Sequence, residues 1–63
     1  MELSTLETVC LRWASQGKSP LATAKIEGVG AEYVQARLDR AVTALKASSV
    51  AEAIEKAKDL KTI

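Results

Sequence analysis

The chain has no histidine and no phenylalanine, and only one cysteine, one proline, one tryptophan and one tyrosine in its 63 residues. Each scarcity removes a class of function. Cys10 has no histidine to activate it as a nucleophile. A zinc site would lack both imidazole ligands and a second thiolate. A lone thiol cannot form an internal disulfide, which suits a reducing, cytoplasmic setting. No apolar run approaches the ~18 residues that would span a bilayer, and no signal-peptide pattern is present. There is no glycine-rich phosphate loop, and no pair of acids sits in a convincing catalytic context. We therefore expect a chain that is not an enzyme, with no catalytic residue, cofactor, metal site or membrane contact. The initial Met1 fits a whole protein and an excised domain alike.

Charge of one sign is missing too. Nine Lys and Arg face eight Asp and Glu, for a net charge of +1. A strongly basic domain carries the electrostatic footprint of nucleic-acid binding; here any such footprint must be local.

What remains is aliphatic. Apolar residues make up 48% of the chain and charged ones 27%, a composition that folds rather than stays disordered. The core must come from Leu, Val, Ile and Ala. Alanine is frequent and the β-branched residues form no alternating run, so the reading is all-α. The length allows one domain, near the lower limit for a core without staples.

Helix boundaries are well marked. Ser4-Thr5-Leu6-Glu7 fits a capping box, and Gly17 suits the left-handed position past a helix end. The first helix then spans about 4–16, with Leu6, Val9, Cys10, Trp13 and Ala14 as its apolar face. Ser19-Pro20 is a capping serine followed by a proline at the first helical position, opening a short helix over about 20–27. Gly28 ends it and Val29 is placed to plug the turn. Gly30 stands where the third helix, about 30–45, should be capped; Val34, Leu38, Ala41 and Leu45 give it an inward stripe. Ser49-Val50-Ala51-Glu52 reads as a second capping box, opening a helix over about 49–60. The expectation is a compact four-helix domain over 1–63, containing a helix-turn-helix, with a C-terminal fourth helix.

The helix-turn-helix reading rests on three positions. A small residue, Ala24, lets the third helix cross close; Gly28 makes the turn; Val34 buries the third helix against the second. A plain helical hairpin has the same spacing.

Read from Leu3 to Ile63 without a gap, the chain resembles the LuxR-type (GerE-type) DNA-binding domain of bacterial transcription regulators. The likeness runs through Leu3, Ser4 and Glu7, through Gly17-Lys18-Ser19, and through Ala24, Gly28 and Val29. It continues with Val34, Leu45, Glu52-Ala53-Ile54 and Ile63. The resemblance implies a recognition helix over about 30–45 that enters DNA, and a last helix that pairs with a second copy. The chain departs from the family among its polar residues. Where the family usually has Thr-Val-Lys-x-His, this chain has Tyr33-Val34-Gln35-Ala36-Arg37. Ala44 and Val50 stand in place of usual cations, and Glu27 replaces the leucine before the turn glycine.

Candidate DNA contacts follow from these positions. Arg37 would meet phosphate or a guanine edge, and Gln35 would read adenine. Tyr33 would reach phosphate through its hydroxyl or else pack at the corner, and Arg40 is set either for DNA or for a nearby acid. Lys18 and Lys46 are backbone anchors at the two ends. Against them, Glu32 and Asp39 lie on the same helix. From Gly17 to Lys46, five basic residues (Lys18, Lys25, Arg37, Arg40, Lys46) face three acids (Glu27, Glu32, Asp39), a local net of +2. Val50, Ala53, Ile54, Ala57 and Leu60 form the fourth helix's apolar strip and are the expected homodimer contact. The expected partner is double-stranded DNA. The competing expectation is a protein-interaction module, an anti-activator or adaptor that docks on another regulatory protein and leaves DNA alone.

Overall fold

A computed structural model describes residues 3–63 and contains four helices: α1 (Thr5–Ser15), α2 (Pro20–Glu27), α3 (Ala31–Ala44) and α4 (Val50–Asp59). No strand occurs among the described residues. The domain is all-α, and each helix begins where local chemistry places it. Ser4 caps α1, its hydroxyl accepting from the Glu7 amide at 3.2 Å while the Glu7 carboxylate accepts from the Ser4 amide at 3.2 Å. Ser19 accepts from the Ala22 amide at 3.1 Å, with Pro20 beside it. Gly30 caps α3 without a side chain to contribute.

At α4 the box is displaced by one residue from the expected pattern. Ser49 Oγ accepts from the Glu52 amide, but Glu52 reaches past it to the Ser48 amide at 2.9 Å. Serines 4, 19 and 49 are extended and act as caps rather than as helical residues.

The ends follow a second rule. Gly17 and Gly28 adopt left-handed backbone, with φ of 85° and 72°, and their helices close with bonds from Lys18 to Trp13 and from Val29 to Ala24. At the ends of α3 and α4 the left-handed residues are Lys46 and Lys61, where glycine would be unstrained. Lys56 compensates at α3: its ammonium donates to the carbonyls of Leu45 and Lys46 at 3.3 and 3.0 Å. A cation at a helix's negative end is favourable.

The core joins Cys10 and Leu11 of α1, Ala24 of α2, Val34, Leu38 and Ala41 of α3, and Ala53 and Ala57 of α4. The α3 stripe matches its sequence reading, with Leu45 packed against the rim of the cluster. On α1 the buried face is turned by one residue. Leu6 is 36% exposed, Val9 and Trp13 are half-buried, and Leu11 and Glu7 take the inward places. On this face Leu11 fills the core while Glu7, engaged by its own cap, lies beside an arginine of α3. The turn is also more open than expected, with Val29 37% exposed.

The α4 strip requires a larger correction. Ala53 and Ala57 are wholly covered by the domain's own core, and Val50 and Ile54 pack against it. Only Leu60, at 65% exposure, projects freely. The small alanines let α4 lie close to α1 and α3, so the face expected to meet a second copy is consumed in closing the domain.

Leu11 has no accessible surface, and the other leucine of α1, Leu6, is 36% exposed and outside the core. Leu11→Ala should lower unfolding free energy by about 2–4 kcal/mol. A core this small rarely supplies more than ~3–5 kcal/mol in total, so the variant should retain only about 1 kcal/mol of stability and show a measurable unfolded fraction without denaturant. Urea titration followed by far-ultraviolet circular dichroism would measure the loss.

Candidate nucleic-acid interface

The helix-turn-helix positions come together as a packed unit. Ala24 is 3% exposed and Val34 fully covered, while Gly28 turns the chain in its left-handed conformation. α2 is thereby fixed against α3, and the outer half of α3 is left uncovered. Glu32, Ala36, Asp39 and Thr43 are all exposed and follow the spacing of the buried stripe half a turn away. They form the outward midline of α3.

The candidate cations lie on the flanks of that midline, not along it. On one flank, Tyr33, Arg37 and Arg40 recur at i, i+4 and i+7 and face α1. The Arg37 guanidinium carbon sits 5.1 Å from the Tyr33 ring centroid, a stacking that orients its plane. Arg37 is half-buried, and its Nε is a covered nitrogen without a hydrogen-bond partner. Arg40 is 69% exposed and places its Nε 3.5 Å from Glu7 Oε2 of α1. On the opposite flank, Gln35 donates to Asp39 Oδ1 at 3.1 Å, so part of its capacity to read a base is already used.

Lys18 belongs to that second flank. With Gln35 and Leu38 it lines a groove of ≈ 450 Å³ bounded by the end of α1 and the start of α4, where Val50 and Ile54 also lie. Lys46 is exposed just beyond α3. A DNA interface is expected to show one continuous positive face of Lys18, Arg37, Arg40 and Lys46; instead the four cations straddle α3 with Glu32 and Asp39 exposed between them, the arrangement expected of a protein-docking module.

Three residues have roles that their positions in the chain did not reveal. Glu7, read only as a cap, pairs with Arg40. Glu27, which replaces an apolar residue of the resembled family, accepts the Trp13 indole N–H at 2.7 Å and so ties α2 to α1. Trp13, expected in the core, lies half-buried beside it. No local signal announces either pairing, because each joins side chains on different helices rather than neighbours one turn apart.

Cys10 lies behind this flank, 3% exposed. Burial pushes its thiol above the ordinary range; the charge of Glu27 adds to the rise, Arg37 opposes it, and Glu7 contributes in the same sense as Glu27. Such a thiol is inert. Among the described residues no group of histidine, cysteine and acids could hold a metal, and no helix is long and apolar enough to cross a membrane. No protein-family model matches the chain.

The raised Cys10 pKa has a signed consequence for stability. The folded state holds the thiol proton more tightly than the unfolded one. Cys10 therefore costs no stability below the ordinary thiol pKa, and destabilises the fold increasingly as pH rises through and beyond it. Ellman's reagent at pH 8 should leave native Cys10 unmodified and react promptly in urea. Prompt reaction without denaturant would mean that the core opens far more often than its packing implies.

Proposed function

We propose that this domain binds double-stranded DNA by placing α3 in the major groove, as part of a bacterial transcription regulator. The observation that carries the reading is the uncovered outer half of α3, seated on a helix-turn-helix and flanked by cations on both sides. The major groove is about 12 Å wide and is walled by two phosphate strands. Cations on both flanks of a helix suit those walls: Arg37 and Arg40 for one strand, Lys18 for the other, with Lys46 beyond the helix end. The midline then faces base edges. Ala36 and Thr43 are suited to thymine methyl groups, and Glu32 and Asp39 to the cytosine amino group. The resemblance to LuxR-type domains, gapless from Leu3 to Ile63, supports the same reading. Specific contacts add to phosphate neutralisation, which supplies the non-specific affinity.

A second reading draws on the same midline. Glu32 and Asp39 place two negative charges where a duplex would be most negative, and Leu21, Ile26 and Leu60 leave apolar surface exposed at 58%, 48% and 65%. A docking module for a second regulatory protein would use such features. Homodimerisation through the α4 strip is not part of either proposal, because Ala53 and Ala57 are already covered.

Fluorescence anisotropy with a random-sequence duplex, measured over a salt series, separates the two. With Lys18, Arg37, Arg40 and Lys46 all on phosphates, log K should fall with log salt at a slope of about −3.6, and of about −2.7 where the Glu7 pair takes Arg40 out of the count. Arg37→Ala should flatten that slope by about one unit, and Arg37→Lys should largely restore it. No binding at low salt would sink the DNA reading in favour of protein docking. An unchanged slope in Arg37→Ala would remove Arg37 from the contact.

A further inference from the structure

Among the described residues, Glu7 is the acid that the fold buries, 6% exposed where the other carboxylates lie on the surface. Its two oxygens do different things. Oε1 accepts from the Ser4 amide, completing the cap, and Oε2 faces Arg40 Nε at 3.5 Å. Capping alone does not require this. Glu52 performs a similar service at α4 while exposed, and no cation pairs with it among the described residues. At Glu7 the carboxylate is held by the cap on one side and the core on the other. Arg40, 69% exposed on the flank of α3, is the partner free to move.

We propose that Glu7 sets the strength of the DNA interface by holding the Arg40 guanidinium in an intramolecular pair. This rests on the DNA reading of α3. A phosphate approaching Arg40 meets a cation whose counter-charge is anchored and cannot leave. Forming that contact therefore releases little bound counterion from the duplex, and Arg40 contributes almost nothing to the salt dependence. The acid lies outside the helix-turn-helix, on α1, yet it decides how many of the interface's cations count. Glu7 acts here as a positioning residue.

The test compares wild type, Glu7→Gln, Arg40→Ala and the double variant on a random-sequence duplex, again by anisotropy over a salt series. Glutamine completes a capping box as glutamate does, so the fold should persist, and circular dichroism would check it. Freeing one cation should steepen the slope by about 0.9, so the advantage of Glu7→Gln over wild type should grow about eightfold for each tenfold drop in salt. Arg40→Ala alone should change the slope little, and in the Glu7→Gln background it should cancel the gain. The Arg40 Nε–H signal in a nitrogen-15 correlation spectrum gives a readout independent of DNA: it should exchange slowly in wild type and rapidly in Glu7→Gln. Equal slopes for wild type and Glu7→Gln would overturn the proposal while leaving DNA binding intact. An Arg40 signal indifferent to Glu7→Gln would overturn it without reference to DNA. A duplex that binds no variant would overturn the DNA reading itself, and Glu7's role with it.

Discussion

Close approach of helices through alanine is the constraint on which this domain depends. The chain has no phenylalanine, and of its fifteen Leu, Val and Ile only Leu11, Val34 and Leu38 are buried; half of the eight buried hydrophobic residues are alanines, at positions 24, 41, 53 and 57. A small side chain brings two backbones nearer, and a near backbone excludes water without needing bulk. Leu11, Val34 and Leu38 then fill the remaining space. The arrangement has two consequences for function. α2 can cross α3 closely at Ala24, which orients α3. α4 gives its small residues Ala53 and Ala57 to the core, and Val50, Ile54 and Leu60 are the apolar residues it keeps partly or largely exposed.

A core so economical relies on polar ties between helices. Glu7 and Arg40 join α1 to α3; Trp13 and Glu27 join α1 to α2; Lys56 closes the end of α3 from α4. Pairs of this kind contribute modestly where they are exposed, and their larger effect is geometric. They fix the faces that α1 and α3 present to one another, and they decide which cations around α3 stay free. The electrostatics of the interface and the register of the core are therefore one problem. Arg37, stacked on Tyr33 with a covered Nε, sits where the two meet.

Much of the fold was legible in the chain. Ser4, Ser19 and Ser49 marked helix starts because a serine hydroxyl can satisfy amides that a first turn leaves free, and Gly17 and Gly28 marked ends because they tolerate left-handed backbone. The α3 stripe was readable because Val34, Leu38 and Ala41 recur with the helical period. The α1 face was misread by one residue. Hydropathy favours Leu6, Val9 and Trp13, whereas the buried set includes a glutamate that no apolar pattern would select. The candidate interface was legible as a set of residue types but not as a surface. Lys18, Arg37, Arg40 and Lys46 are cations in any reading, and only their distribution over two flanks of α3 says how a duplex would meet them.

The amino-acid sequence by itself determined that the protein is helical and, to within a residue or so, where its helices begin and end; it set Ala24, Gly28 and Val34 at a spacing shared by a helix-turn-helix and a plain helical hairpin. These follow from local rules: backbone satisfaction, left-handed tolerance and periodic burial act within a few residues. Tertiary structure alone decided that Ala53 and Ala57 pack into the domain core, that Glu27 binds Trp13, and that Glu7 pairs with Arg40. Each of these depends on which helix faces which. That choice is made by packing between segments distant in the chain, and no local pattern encodes it.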